Sequence, residues 1–261
     1  MDYETVKNLI ILFFLILLGI ILLNANNRGN PFEISIKIIL SQIDFFLKKP
    51  KEHIKIIFPY FIVWLISSEY FYFPKVVLIP LILLTGIFLV VSIHRLVIIE
   101  DKNFFWLNLK KIRAFFSYII YGFLFLILLF IPLIFISLAF QNIIYSEGVT
   151  YYLYILLLFG SFFFLAIIFS SYALNLPKAA IGEKVEFFKM YYNAKGYKII
   201  ILIQFILITS IYRIIDYLIP FLTNNIYSIL IFSSIMAAFS YSLLISCISK
   251  TFLLMHDSNK I

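Results

Sequence analysis

The sequence predicts an all-α polytopic membrane protein, a transmembrane helix bundle of about seven spans with amphipathic interfacial helices on its cytoplasmic side. Three observations predict it. Of 261 residues, 64% are hydrophobic and only 13% charged, whereas a soluble globular chain carries about 45 to 50% apolar and about 25% charged residues. The apolar excess has no interior to occupy except a bilayer. Charge-free runs recur at the length a bilayer core demands, about 20 residues per helix. The basic residues gather between alternate runs. Soluble enzyme domains, disordered tails and collagen-like repeats are excluded at the outset.

Five spans are clear in the order of the chain. The stretch 76–93 (VVLIPLILLTGIFLVVSI) ends at His94 and Arg95; 114–139, 151–174 and 226–249 each lie inside a charge-free interval; 199–222 tolerates Arg213 and Asp216 within it. Two further runs are shorter. The run 9–23 (LIILFFLILLGIILL), extended to 6–23 by its neighbours, lacks a basic n-region and an A-x-A site, so it reads as an uncleaved anchor rather than a signal peptide. The run 54–73 contains Pro59 and has Glu69 near one end. Including both gives seven spans; dropping the second gives six.

Seven spans place 24–53, 99–113, 175–198 and the tail after 249 on one side. Those segments and the adjoining helix ends hold every Lys and Arg except Lys7, Lys75 and Arg213. Because Lys and Arg accumulate in short cytoplasmic loops, the N-terminus is expected outside and the C-terminus in the cytoplasm of a bacterial cell membrane. Six spans would put basic clusters on both sides.

The basic segments also carry helical periodicity. In PFEISIKIILSQIDFFLKK, Phe32, Ile36, Ile39, Leu40, Ile43, Phe46 and Leu47 recur at three and four, opposite Lys37, Ser41, Asp44 and Lys48. This is the pattern of a helix lying in the headgroup boundary. A second surface helix is expected from Pro177 through Ile181, Val185, Phe188 and Tyr192 to a stop at Gly196, and a fainter one over Phe105, Leu109, Ile112 and Phe116. The chain therefore reads as one transmembrane domain: an N-terminal anchor followed by three surface-helix-plus-hairpin units at 31–98, 99–174 and 175–255. Ordinary interfacial segments obeying the same charge rule would produce the same pattern without duplication.

The run LNLPKAAIGEKVEFFKMYYNAKGYKIIILIQFILI, residues 174–208, resembles a recurring segment of bacterial polytopic membrane proteins. It is similar in layout to the membrane domain associated with glycerophosphodiester phosphodiesterases. The resemblance implies a membrane helical fold. It does not imply phosphodiesterase activity, since this chain has neither a soluble catalytic barrel nor a cluster of His, Glu and Asp to replace one.

Arg213 and Asp216 are the sharpest anomaly. Fourteen charge-free residues separate Lys198 from Arg213, which puts the arginine near or just past the midplane at ~1.5 Å per residue. With Thr209 the pair forms a polar stripe expected to face the bundle interior, because a lipid-facing unpaired charge costs ~2.5 to 3.5 kcal/mol. It reads either as a site for a polar headgroup or path, or as a structural clamp whose side chains snorkel outward. His94, Arg95, Lys110, Lys111 and Lys198 are candidate phosphate or headgroup contacts at the basic surface. Ser234, Ala238, Ser242 and Ser246, spaced by four, read as a close-packing seam, and the lone Cys247 as a packing residue.

No GxGxxG, P-loop or HExxH pattern occurs, and the three histidines lack metal-ligand spacing. No catalytic residue, metal or cofactor is expected. Basic residues spread over four loops beside membrane helices point to anionic lipid, not nucleic acid. The expected function is therefore non-enzymatic: lipid engagement, or scaffolding of a protein partner or a homo-oligomer. The alternative is a permease or transporter component using the Arg213 and Asp216 stripe.

Overall fold

The computed structural model describes residues 29–67, 74–101, 109–143, 148–186, 189, 194, 196–223 and 225–258. Among them all regular structure is helical. The helices are α1 (Pro31–Lys48), α2 (Pro50–Ile66), α3 (Lys75–Ile99), α4 (Leu109–Ile143), α5 (Gly148–Tyr172), α6 (Asn175–Ala180), α7 (Lys198–Leu222) and α8 (Ile226–Ser258). Five of them, α3, α4, α5, α7 and α8, are long and apolar enough to cross a membrane. α2 has 17 residues, about 25 Å at ~1.5 Å per residue, which falls short of a ~30 Å core. The expected anchor 6–23 and the end of the expected span 54–73 lie outside the described residues.

Local chemistry accounts for the start of α1. The Asn30 side chain accepts from the Phe32 N–H at 3.0 Å, Pro31 occupies the first turn, and Glu33 and Lys48 sit at the ends where the helix dipole favours their charges. Lys37 lies 2.7 Å from Glu33 and holds its carboxyl below the usual range. The helix stops at Lys49 because Pro50 disfavours helical geometry in the residue before it.

α1 has three faces, not the two expected. Pro31, Ser35, Ile38, Ile39, Gln42 and Phe46 are buried against the bundle. Phe32, Leu40 and Leu47 form an exposed apolar flank, and Glu33, Lys37, Ser41, Asp44 and Lys48 an exposed charged one. Ile39 and Phe46, expected to enter lipid, face the protein instead. The cause is the polar pair Ser35 and Gln42, which must be satisfied and therefore turn their side of the helix inward.

The other two surface helices differ from expectation. Leu109, Ile112 and Phe116 lie in the first turns of α4, which continues unbroken for 35 residues. Phe105 lies outside the described residues. After Pro177, helix ends at Ala180, and Glu183 to Glu186 are not helical. Gly182, at φ +82, terminates it: its N–H donates to the Ala179 carbonyl and the Glu183 N–H to the Lys178 carbonyl at 3.0 and 3.2 Å. That paired pattern closes helices on a left-handed glycine.

α8 is the hub, packing against α1, α2, α3, α6 and α7, while α4 and α5 pair with each other. The buried residues concentrate at one end of the bundle. They include Leu89 to Leu96 at the close of α3, Ala114 and Tyr118 at the opening of α4, Ala173 and Leu174 after α5, Ile200 and Ile201 at the opening of α7, and Leu243 to Met255 in α8. α1 and α6 join the same two clusters. Arg95, Arg113, Lys178, Lys198 and Lys250 belong to these helix ends, so the tightly packed end is also the basic end. Toward the other end the apolar side chains are exposed, as at Val76, Leu153, Phe221 and Tyr227.

Candidate functional site

The basic end encloses a polar layer organised by α8. Its residues 242 to 252 are buried almost all round, so it presents polar groups on more than one side. The Ser246 hydroxyl donates to the Gln42 side-chain carbonyl of α1. On another side the Gln204 amide of α7 donates to the Thr251 hydroxyl at 3.1 Å, and Thr251 donates in turn to the Cys247 carbonyl at 2.9 Å. The Ser35 hydroxyl donates to the Pro31 carbonyl of its own helix at 2.7 Å and shares that proton with the Ile200 carbonyl of α7 at 3.2 Å. These bonds tie α1, α7 and α8 together where lipid would offer no competing partner.

His94 joins α3 to the same layer. Its Nδ1 lies 2.6 Å from the Ser249 hydroxyl oxygen. The same hydroxyl lies 2.9 Å from the Ile245 carbonyl; with its proton there, the imidazole Nδ1–H donates to the serine oxygen, and in the other tautomer the serine donates to Nδ1. Ser249 is completely buried. Either way the pair tethers α3 to α8 inside the buried layer.

Arg95 is committed as well. Its guanidinium meets the Asp101 carboxylate at 3.0 Å through Nη2 and through Nε, and donates from Nη1 to the Ala180 carbonyl at 3.3 Å. Glu100, in the left-handed region at φ 51, makes the tight turn that brings Asp101 back. The expected headgroup contacts His94 and Arg95 are thus internal fasteners. Both lie on the inward side of α3, whose last two turns are enclosed by α8 and α6. Lys198 is half-buried, and Lys110 and Lys111 fall in the first turn of α4.

His53, near the start of α2, is buried against α1. Its Nδ1–H donates to the Lys49 carbonyl at 2.8 Å, and its ring stacks on Phe46 with centroids 3.8 Å apart. Nε2 is buried without a hydrogen-bond partner. Burial pushes its pKa down.

The stripe expected to face the interior does not. Arg213 is exposed, Asp216 and Thr209 are half-exposed, and no ion pair within 4.0 Å joins Arg213 to Asp216 among the described residues. The guanidinium lies 5.9 Å from the Tyr212 ring centroid. The inward face of α7 is instead Ile201, Gln204, Ile208 and Ile219. At 100° per residue Arg213 falls well over a quarter-turn from that face. The buried amide of Gln204 decides the rotation.

The packing seam is buried throughout: Ser234, Ala238, Ser242 and Ser246, with Cys247 beside them. Sequence reasoning did not single out Gln42, Gln204, Ser249 or Thr251. The signal available was polar residues on the apolar side of helical patterns, facing one another across α8.

The unclaimed charges lie outside the layer. Lys51 and Lys55 are exposed one turn apart on α2, on the same face as exposed Ile54 and Phe58. No family model, no curated protein and no solved structure matches the chain.

Proposed function

We propose that this chain is a non-enzymatic integral membrane protein whose basic end engages anionic lipid. In this reading the bundle lies in a bacterial cell membrane with seven spans, the N-terminus outside and the C-terminus in the cytoplasm. The observation that carries it is the three-faced α1 with the corner that follows. The buried Ser35 and Gln42 hold the helix on the bundle, which leaves an apolar flank beside a charged flank. Lys51 and Lys55 then sit above Ile54 and Phe58 with no acidic partner among the described residues. Ammonium groups set at the edge of an apolar surface match a phospholipid, whose anionic head and acyl chains meet at such an edge. The buried serine beside His94, and Arg95 held by Asp101 and the Ala180 carbonyl, favour a structural role over hydrolysis, and the outward Arg213 weighs against an inner transport path.

The test is lipid retention by the full-length chain in nanodiscs of mixed anionic and neutral lipid. At ~1 kcal/mol per lysine near a charged surface, Lys51→Gln/Lys55→Gln is expected to lower the anionic preference about twenty- to thirtyfold. Equal retention of both lipids by the unsubstituted chain would reject the proposal. Orientation is read separately: a cysteine replacing Asn225 is expected to react with an impermeant reagent from outside intact cells, and one replacing Lys184 is not.

A further inference from the structure

We infer that the outward face of α7 is a self-association surface, on which Arg213 of one copy pairs with Asp216 of a second copy. The inference is independent of lipid engagement at the basic end and rests on the membrane reading alone. α7 has 25 residues, about 37 Å, so with the helix centred in a ~30 Å core about 4 Å emerges at each end. Arg213, nine positions before Leu222, lies about 10 Å inside the nearer boundary. The arginine side chain is shorter than that depth, so snorkelling alone does not bring the guanidinium out to water. Asp216 lies about 5 Å inside the same boundary, and its short side chain reaches less.

Arg213 is exposed and Asp216 half-exposed, and among the described residues no ion pair within the copy relieves them. Their surroundings on α7 are Ile206, Tyr217 and Phe221, all exposed and none able to neutralise a charge. Pairing with an opposite charge offsets the cost of placing either group in hydrocarbon. A second copy supplies it by symmetry. Two chains inserted in the same direction are related by a two-fold axis along the membrane normal, which sets identical residues at equal depth. Asp216 of one copy then lies one turn, about 4.5 Å in depth, from Arg213 of the other, within reach of the arginine side chain. The axis repeats the contact reciprocally, so a surface with one cation and one anion on one face complements itself.

The experiment coexpresses two differently tagged full-length copies and measures their co-purification from nanodiscs. Unsubstituted copies are expected to co-purify. Arg213→Asp in both copies, or Asp216→Arg in both, should lower co-purification at least about tenfold, since each places like charges at the contact. Coexpressing one Arg213→Asp copy with one Asp216→Arg copy should restore it, because each supplies what the other lacks; a clamp within one helix predicts no such rescue. Absence of rescue between folded copies, or unsubstituted chains that never co-purify, would overturn the inference.

If either charge variant fails to fold, oxidative crosslinking of Tyr217→Cys copies decides the matter, the native Cys247 being fully buried. Crosslinked dimers from Tyr217→Cys but not from Leu153→Cys support the inference. Equal yields from both, or none from Tyr217→Cys, overturn it. Capture of Tyr217→Cys by Leu17→Cys within one copy would assign the face to the run 9–23 and overturn it too.

Discussion

Gln42 and Ser246 lie 204 residues apart and share a hydrogen bond in the buried interior. Through it the first described helix is fastened to the last long one. Removing one partner leaves the other buried and unsatisfied, whereas removing both does not. Gln42→Leu and Ser246→Ala are therefore each expected to lower stability by about 1 to 2 kcal/mol. The double variant should cost less than their sum. A double-mutant cycle on denaturant unfolding in detergent measures the coupling; strict additivity would show that the bond contributes nothing.

Two turns make predictions of opposite sign. Gly182 occupies the left-handed region at φ +82, with Ala114 Cβ 3.5 Å from where a methyl would sit, so space is adequate and backbone strain alone opposes a side chain. Gly182→Ala should destabilise by about 1 kcal/mol. Glu100 adopts the same region with a side chain, and Glu100→Gly should stabilise by about 0.5 to 1 kcal/mol. Thermal midpoints of the two variants, compared with the parent, are expected to move in opposite directions.

Arg95 connects the end of α3 to the end of α6 through Asp101 and the Ala180 carbonyl. Arg95→Met keeps the aliphatic stem and removes the charge, leaving Asp101 facing an apolar side chain. A loss of about 1 to 3 kcal/mol is expected, with faster proteolysis around Glu183 to Glu186. Unchanged cleavage would show that the guanidinium does not hold this segment.

His53 makes stability fall in acid. Its folded pKa is lowered from 6.5 by burial, opposed by the hydrogen bond to the Lys49 carbonyl and by Glu52, with the Lys49 charge adding a little. Above 6.5 both folded and unfolded chains carry the neutral ring, so no dependence arises. Below it the unfolded chain binds the proton first, and stability declines as pH drops toward the depressed folded value. His53→Phe should make the stability profile between pH 6.5 and 5 shallower. An unaltered slope would place the titration elsewhere.

Much of the fold was legible in the residues. Long charge-free runs make the five long helices unavoidable, and the apolar period from Pro31 through Leu47 marks out α1. The packing seam on α8 was readable because small residues at intervals of four leave room for a neighbour. Other features needed the third dimension. Gly182 was overlooked because Val185 continues the apolar period beyond it, and a left-handed glycine overrides periodicity. The rotation of α7 was misjudged because Arg213 and Asp216 drew attention as charges. The determinant was the neutral Gln204, whose partner Thr251 lies on another helix. His94 and Arg95 look like surface groups in a linear chain. They become interior only once α6 and α8 close over the end of α3.

Packing concentrated at one end has a mechanical meaning. The far halves of α4 and α5 lean on each other and present exposed Phe, Leu and Ile on their outer sides, so in a bilayer they would move as one pair among acyl chains. The tilt of that pair would follow the length and saturation of those chains, while the cinched opposite pole keeps its geometry. A change of lipid composition would thus swing the pair like one jaw of a clothes-peg, with the spring at the lysine-rich pole.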